Sequence, residues 1–139
     1  MENNEKILKM LNDALAQEHA CQIRYQTHAS VLTGPYAAAV ASQLNEIAED
    51  EKTHAIQLRD RITALGGTPT MDVANNELIH AKGLKEILQV NIKEEEGAIK
   101  LYRSILDSVG HEGAILFETI EEILKDEQEH KEQLERLQE

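Results

Sequence analysis

Glu51 and His54 stand three residues apart, as do Glu127 and His130. On a helix this spacing sets a carboxylate and an imidazole on one face, and together they suit a divalent first-row cation. Glu18 precedes Glu51 by 33 residues and Glu94 precedes Glu127 by the same interval, so three donors recur in order: Glu18, Glu51, His54, then Glu94, Glu127, His130. A single Glu-x-x-His is commonplace on a solvated helix surface. Two copies, each with a lone glutamate at matching distance, predict a dinuclear metal centre.

Four helices are needed to position these donors, and the punctuation of the chain supplies them. Only seven Gly and two Pro occur. Helical periodicity runs over about 5–33 and stops at Gly34-Pro35, then over about 37–65 and stops at Gly66-Gly67. The pattern lapses between Thr68 and Lys82, where Glu77 to His80 suggests a helical turn. It resumes over about 83–107, breaks at Ser108-Val109-Gly110, and continues from about 112 to the end. Steps of three and four trace one seam per helix: Leu11, Leu15, Glu18, Gln22, Tyr25, Ala29, Leu32; Val40, Leu44, Ile47, Glu51, His54, Leu58, Ile62, Leu65; Leu84, Ile87, Asn91, Glu94, Ala98, Leu101, Ile105; and Leu116, Ile120, Ile123, Glu127, His130, Leu134, Leu137. Each seam carries a glutamate where an aliphatic residue is expected. Burying one unpaired carboxylate costs several kcal/mol, and four at one level repel one another as well. Two divalent cations would cancel the four charges, with neutral imidazoles completing the ligand sets.

The two short connections join antiparallel neighbours, while the long one can return the chain along the bundle. The expected architecture is therefore all-α, an antiparallel four-helix bundle with one long crossover between helices two and three, in a single domain spanning 1–139. Lys plus Arg number 14 against 26 Asp plus Glu, a net charge of -12, which argues against nucleic acid or an anionic membrane as partner. No apolar run is long enough to span a bilayer. The lone Cys21 cannot form an internal disulfide, and a reducing, cytoplasmic setting is the expectation.

The segments Ala16–Tyr25, Asp50–Ala55, Glu94–Ala98 and Ile123–His130 resemble the ferritin-like superfamily, and within it bacterioferritin, over essentially the whole chain. The resemblance implies that Glu18 and Glu94 are terminal ligands, that Glu51 and Glu127 bridge two metals, and that His54 and His130 each bind one. It implies a ferroxidase taking two Fe(II) per subunit to Fe(III) with O2 or H2O2, in iron storage, homeostasis or detoxification, with Mn or Zn as possible substitutes. It also implies a homo-oligomer, either a dimer or a cage. Two departures matter. Lys52 occupies the position of the haem methionine, so no haem is expected, and the chain ends nine residues after His130, without the family's fifth helix. A rubrerythrin-like peroxide scavenger is the alternative within the superfamily, but Gly97 stands where its additional carboxylate is usual, and no Cys pair exists for a rubredoxin domain. A non-enzymatic metal-binding bundle and a pure interaction module are the other readings. Tyr25 and Cys21 are expected to be packing residues. His19, His28, His80 and His111 read as surface or capping residues, and Glu46 with Asp50 as a possible inward relay for iron.

Overall fold

The computed structural model describes residues 2–110 and 113–138. It contains α1 (Glu2–Val31), α2 (Ala37–Ala64), α3 (Gly83–Val109) and α4 (Ala114–Arg136), with one 3-10 turn at Asn75–Glu77 in the connection between α2 and α3. No strand occurs among the described residues. The expected elements are thus present with ends shifted by a few residues, and the turn forms slightly earlier than 77–80. His111 lies outside the described residues. No helix is long and apolar enough to cross a membrane.

α1 packs on α2 and α3, while α4 packs on α3 and α2. Cross-links from Glu18 to Tyr102 and from Arg24 to Asn91 descend α3 as they climb α1, so these two helices are antiparallel. Bonds from His54 to Asp126 and from His130 to Asp50 establish the same for α2 and α4. Two hairpins are thereby laid side by side, related through the crossover.

The crossover leaves α2 through a Schellman turn. The Gly67 N–H donates to the Ile62 carbonyl at 2.9 Å and the Gly66 N–H to Thr63 at 3.0 Å, with Gly66 at φ 85°, a conformation that glycine adopts without a Cβ penalty. The segment is then pinned along α1. Asn12 donates to the Thr68 carbonyl and accepts from the Thr70 N–H, and the Ala74 N–H donates to the Ala16 carbonyl. Arg59 donates to Nε2 of His19 at 2.8 Å, which leaves Nδ1 as the protonated nitrogen donating to Asp72 O at 2.7 Å. Asn91 likewise donates to Nδ1 of His28, whose Nε2 donates to Ile79 O at 2.7 Å. His28 is thus a buried clasp, and burial lowers its pKa in keeping with the neutral form.

Arg24 is the most unexpected interior residue. It is 2% exposed and donates to Asn91 Oδ1 at 2.8 Å, to Glu77 O at 3.0 Å and to Cys21 Sγ at 3.4 Å. A buried guanidinium is tolerated because its donors are met. Two apolar clusters complete the interior. One is built around Leu11, Leu58, Ile62, Ile105 and Ile120, the other around Tyr25, Leu44, Ile87, Leu88 and Leu134. Each such side chain contributes about 1.5–3 kcal/mol on burial. Between them lies a polar layer that the packing must hold against its own repulsion.

Candidate metal centre

Six side chains converge on that layer, one from α1, two from α2, one from α3 and two from α4. Glu18, Glu51, His54 and Glu127 form one set of donors, and Glu51, Glu95, Glu127 and His130 form a second; in each, the donor atoms lie within 4.8 Å of one another. Glu51 and Glu127 belong to both sets. None of the six is more than 2% exposed.

Five of the six residues expected from the sequence are brought together here, and one is not. Glu95, not Glu94, supplies the α3 carboxylate; Glu94 is half-buried beside the cluster. The cause is a difference in loop length. Residues 32–36 separate α1 from α2, whereas only 110–113 separate α3 from α4. The connection shorter by one residue moves the matching position on α3 one residue closer to Glu127. In the run Glu94-Glu95-Glu96 neighbouring side chains point about 100° apart on a helix, so a slip of one residue exchanges an inward group for one at the edge.

The two Nδ1 atoms face the carboxylates at 3.2–3.6 Å, but no hydrogen bond forms among these donors. Both oxygens of Glu51, Glu95 and Glu127, Glu18 Oε2, His54 Nδ1 and His130 Nδ1 are buried without a hydrogen bond. Leaving even one buried polar group unsatisfied costs about 1–3 kcal/mol. So dense a group of orphans with carboxylate and imidazole chemistry suits a pair of divalent cations, whose charge equals that of four carboxylates.

Carboxylates outside the cluster set the imidazoles. His54 Nε2 lies 2.8 Å from Asp126 Oδ2 and His130 Nε2 lies 2.8 Å from Asp50 Oδ2. An ionised carboxylate only accepts, so Nε2 carries the proton in both rings and Nδ1 is aimed at the cluster. The two contacts are reciprocal across α2 and α4. Asp50, read from the sequence as a relay, orients His130, and Asp126, which orients His54, is its counterpart that sequence reasoning missed. Glu46 is exposed and makes no such contact. The missed signal was available, since Asp50 and Asp126 each immediately precede a cluster glutamate.

Without metal, protons occupy the charge balance. Burial and the Glu51 charge push Glu18 up to about 8. Burial raises Glu95 to about 7 despite His130, and burial with the charges of Glu51, Glu95 and Glu18 raises Glu127 well above the carboxylate range. Glu51 runs the other way: burial opposes its charge, yet His130, His54 and Glu127 hold it well below. The opposite directions of the two shared carboxylates are those of a facing pair that cannot both ionise without compensation. Burial also opposes charge on His54, but Glu18 and Glu51 hold it up to about 11.

Tyr102, absent from the sequence reading, donates to Glu18 Oε1 at 2.7 Å from a fully buried position. Tyr25 is buried with its hydroxyl unpartnered and the Arg24 guanidinium 5.4 Å from its ring centre. Cys21 is a buried free thiol, raised by desolvation above its ordinary range.

The ferritin-like domain family matches residues 8–139. Bacterioferritin of Rhodobacter capsulatus is 29% identical over 131 residues, 94% of this chain and 81% of that protein. Bacterioferritin of Desulfovibrio desulfuricans is 29% identical over 127 residues, 90% and 70% of the respective lengths. Among solved structures, a ferritin-like diiron-carboxylate protein from Bacillus anthracis superposes with TM-score 0.94 at 27% identity, covering 100% of this chain and 99% of the other. A dodecameric thioferritin related to bacterioferritin, from Bacteroides fragilis, superposes with TM-score 0.88 at 28% identity, covering 96% and 84%.

Proposed function

The chain belongs to the ferritin-like family, and from that premise we propose that it is a di-iron ferroxidase serving iron storage, homeostasis or detoxification. The observation that carries this reading is the pair of overlapping donor sets sharing Glu51 and Glu127, buried and without hydrogen-bond partners. Glu18 and His54 would hold one Fe(II), Glu95 and His130 the other, and Glu51 with Glu127 would bridge them. Two Fe(II) held there supply two electrons, enough to take O2 to H2O2 or H2O2 to water, and become Fe(III).

The protein's own residues prepare the site. Asp126 and Asp50 fix the tautomers of His54 and His130, so that each presents Nδ1 without reorientation. Protons held on Glu18, Glu95, Glu127 and the two histidines depart as cations enter, which makes affinity rise with pH. The apolar clusters on both sides exclude water and keep the six donors at one level. Mn and Zn fit the same donors. Lys52 offers no thioether for a haem iron.

The same reading includes a cytoplasmic homo-oligomer. Net charge -12 favours accumulation of cations at its surface. The dodecameric relative supports a shell, which storage requires, whereas a dimer would restrict the role to oxidation.

Anaerobic titration with Fe(II), followed by O2 or H2O2, tests the activity. Two Fe(II) bound per chain and a rise in ferric absorbance on adding oxidant are expected. Binding without oxidation would reduce the protein to a metal-binding bundle, and no paired binding would remove the centre altogether. Light scattering of the purified protein distinguishes dimer from shell.

A further inference from the structure

Tyr25 and Tyr102 occupy equivalent places. Each follows the terminal carboxylate of its own helix by seven residues, Glu18 to Tyr25 on α1 and Glu95 to Tyr102 on α3. Antiparallel packing of α1 on α3 should carry each phenol to the opposite carboxylate. The pairing is realised on one side only: Tyr102 donates to Glu18 Oε1 at 2.7 Å, while the Tyr25 hydroxyl has no partner and neither oxygen of Glu95 accepts a hydrogen bond, Oε2 only facing His130 Nδ1 at 3.2 Å.

We propose that Tyr102 is a positioning residue that makes the two metal positions unequal, so that a divalent cation fills the Glu95–His130 position first and the Glu18–His54 position second. This rests on the two-metal reading above. Glu95 can turn both oxygens toward a cation without losing a hydrogen bond, whereas Glu18 can do so only by turning Oε1 away from the phenol. Turning Oε1 toward a cation would break a hydrogen bond to a charged acceptor and leave the phenol buried without a partner. A bond of that kind is worth about tenfold or more in an equilibrium constant.

A separate measure of the apo geometry points the same way. His130 Nδ1 lies 3.2 Å from Glu95 and Glu127 and 3.3 Å from Glu51. His54 Nδ1 lies 3.5 Å from Glu18, 3.4 Å from Glu51 and 3.6 Å from Glu127. The first group is already closer to the compact arrangement that a cation draws together.

Zn(II), added to the metal-free protein and followed by calorimetry against a competing chelator, reads the two steps without turnover. Wild type should bind two ions with step affinities at least about tenfold apart. Tyr102→Phe should tighten the weaker step by about the same factor, bringing the two together, whereas Tyr25→Phe, which removes a hydroxyl with no partner, should leave them apart. Crystals grown with one equivalent of Zn(II) should show anomalous density at the Glu95–His130 position. Equal steps in wild type, density first at Glu18–His54, or a Tyr102→Phe protein whose weaker step is unchanged or weakened would overturn this inference while leaving paired binding intact. Failure of wild type to bind two ions would overturn the two-metal reading itself, and this inference with it.

Discussion

The charge balance of the metal-free centre predicts an inverted pH dependence of stability. Glu95 titrates near 7 in the fold, raised from 4.5 mainly by burial. Glu18 titrates near 8, raised by burial and by Glu51. A carboxyl whose folded value is raised contributes its stability below the unfolded value and loses it as pH climbs through the folded one. Each tenfold displacement is worth about 1.4 kcal/mol, so ionisation would cost about 3 kcal/mol at Glu95 and about 5 kcal/mol at Glu18 if each acted alone. They share one field with Glu51 and the histidines, so the combined loss is smaller than the sum. His54, held up to about 11 by Glu18 and Glu51 against the opposing effect of burial, has the same sign, and its loss starts above 6.5. Glu51 is lowered, so its contribution is complete above 4.5 and constant over the window.

Between pH 5 and 8.5 the chelator-treated protein should therefore lose at least about 3 kcal/mol, roughly 10 °C in Tm for a domain of this size. Calorimetric melts at fixed ionic strength measure it. Glu95→Gln, which removes one titrating group, should flatten the slope, while Glu94→Gln, which alters surface charge by the same amount, should not. With saturating Zn(II) the slope should reverse, because protons and metal compete for the same atoms. A metal-free Tm that is level or rises with pH would refute the claim that protons hold this cluster together.

Three further outcomes follow from particular contacts. Glu95→Gln should weaken binding of one of two Zn(II) per chain by at least about tenfold, whereas Glu94→Gln should leave both bound at wild-type affinity by calorimetry; the converse would restore Glu94 as the ligand. Asp126→Asn keeps the shape of the contact to His54 but no longer demands a proton on Nε2, so Zn(II) affinity at that position should drop about 10–100-fold, while urea unfolding of the metal-free protein changes little. Arg24→Leu leaves the Asn91 and Glu77 oxygens buried without a donor; urea unfolding should report a loss of about 3 kcal/mol, and limited proteolysis should open the crossover before any helix.

What the residue order reveals, and what it conceals, depends on the range of the forces involved. Helix ends were legible because Gly34-Pro35 and Gly66-Gly67 act within a few residues, the proline through its fixed φ and missing donor and the glycine pair through the positive φ that Gly66 adopts without a Cβ penalty. The two Glu-x-x-His pairs were legible for the same reason, since one helical turn sets their relative direction. Glu95 was not, because choosing among three consecutive glutamates requires the phase of α3 relative to α4, and that phase is set by a connection one residue shorter than its counterpart. Arg24 was hidden more deeply. Its partners Glu77 and Asn91 lie 53 and 67 residues away, and nothing nearby distinguishes it from an arginine on a solvated face. Tyr102 shows how one error conceals a second residue: measured from Glu94 it has no counterpart of Tyr25, and measured from Glu95 it falls seven residues on, where Tyr25 falls from Glu18. The repeat is a symmetry of positions in space, with equal intervals along α1 and α3 but unequal ones across the loops. An interval counted through a loop is therefore the weaker guide wherever the two disagree.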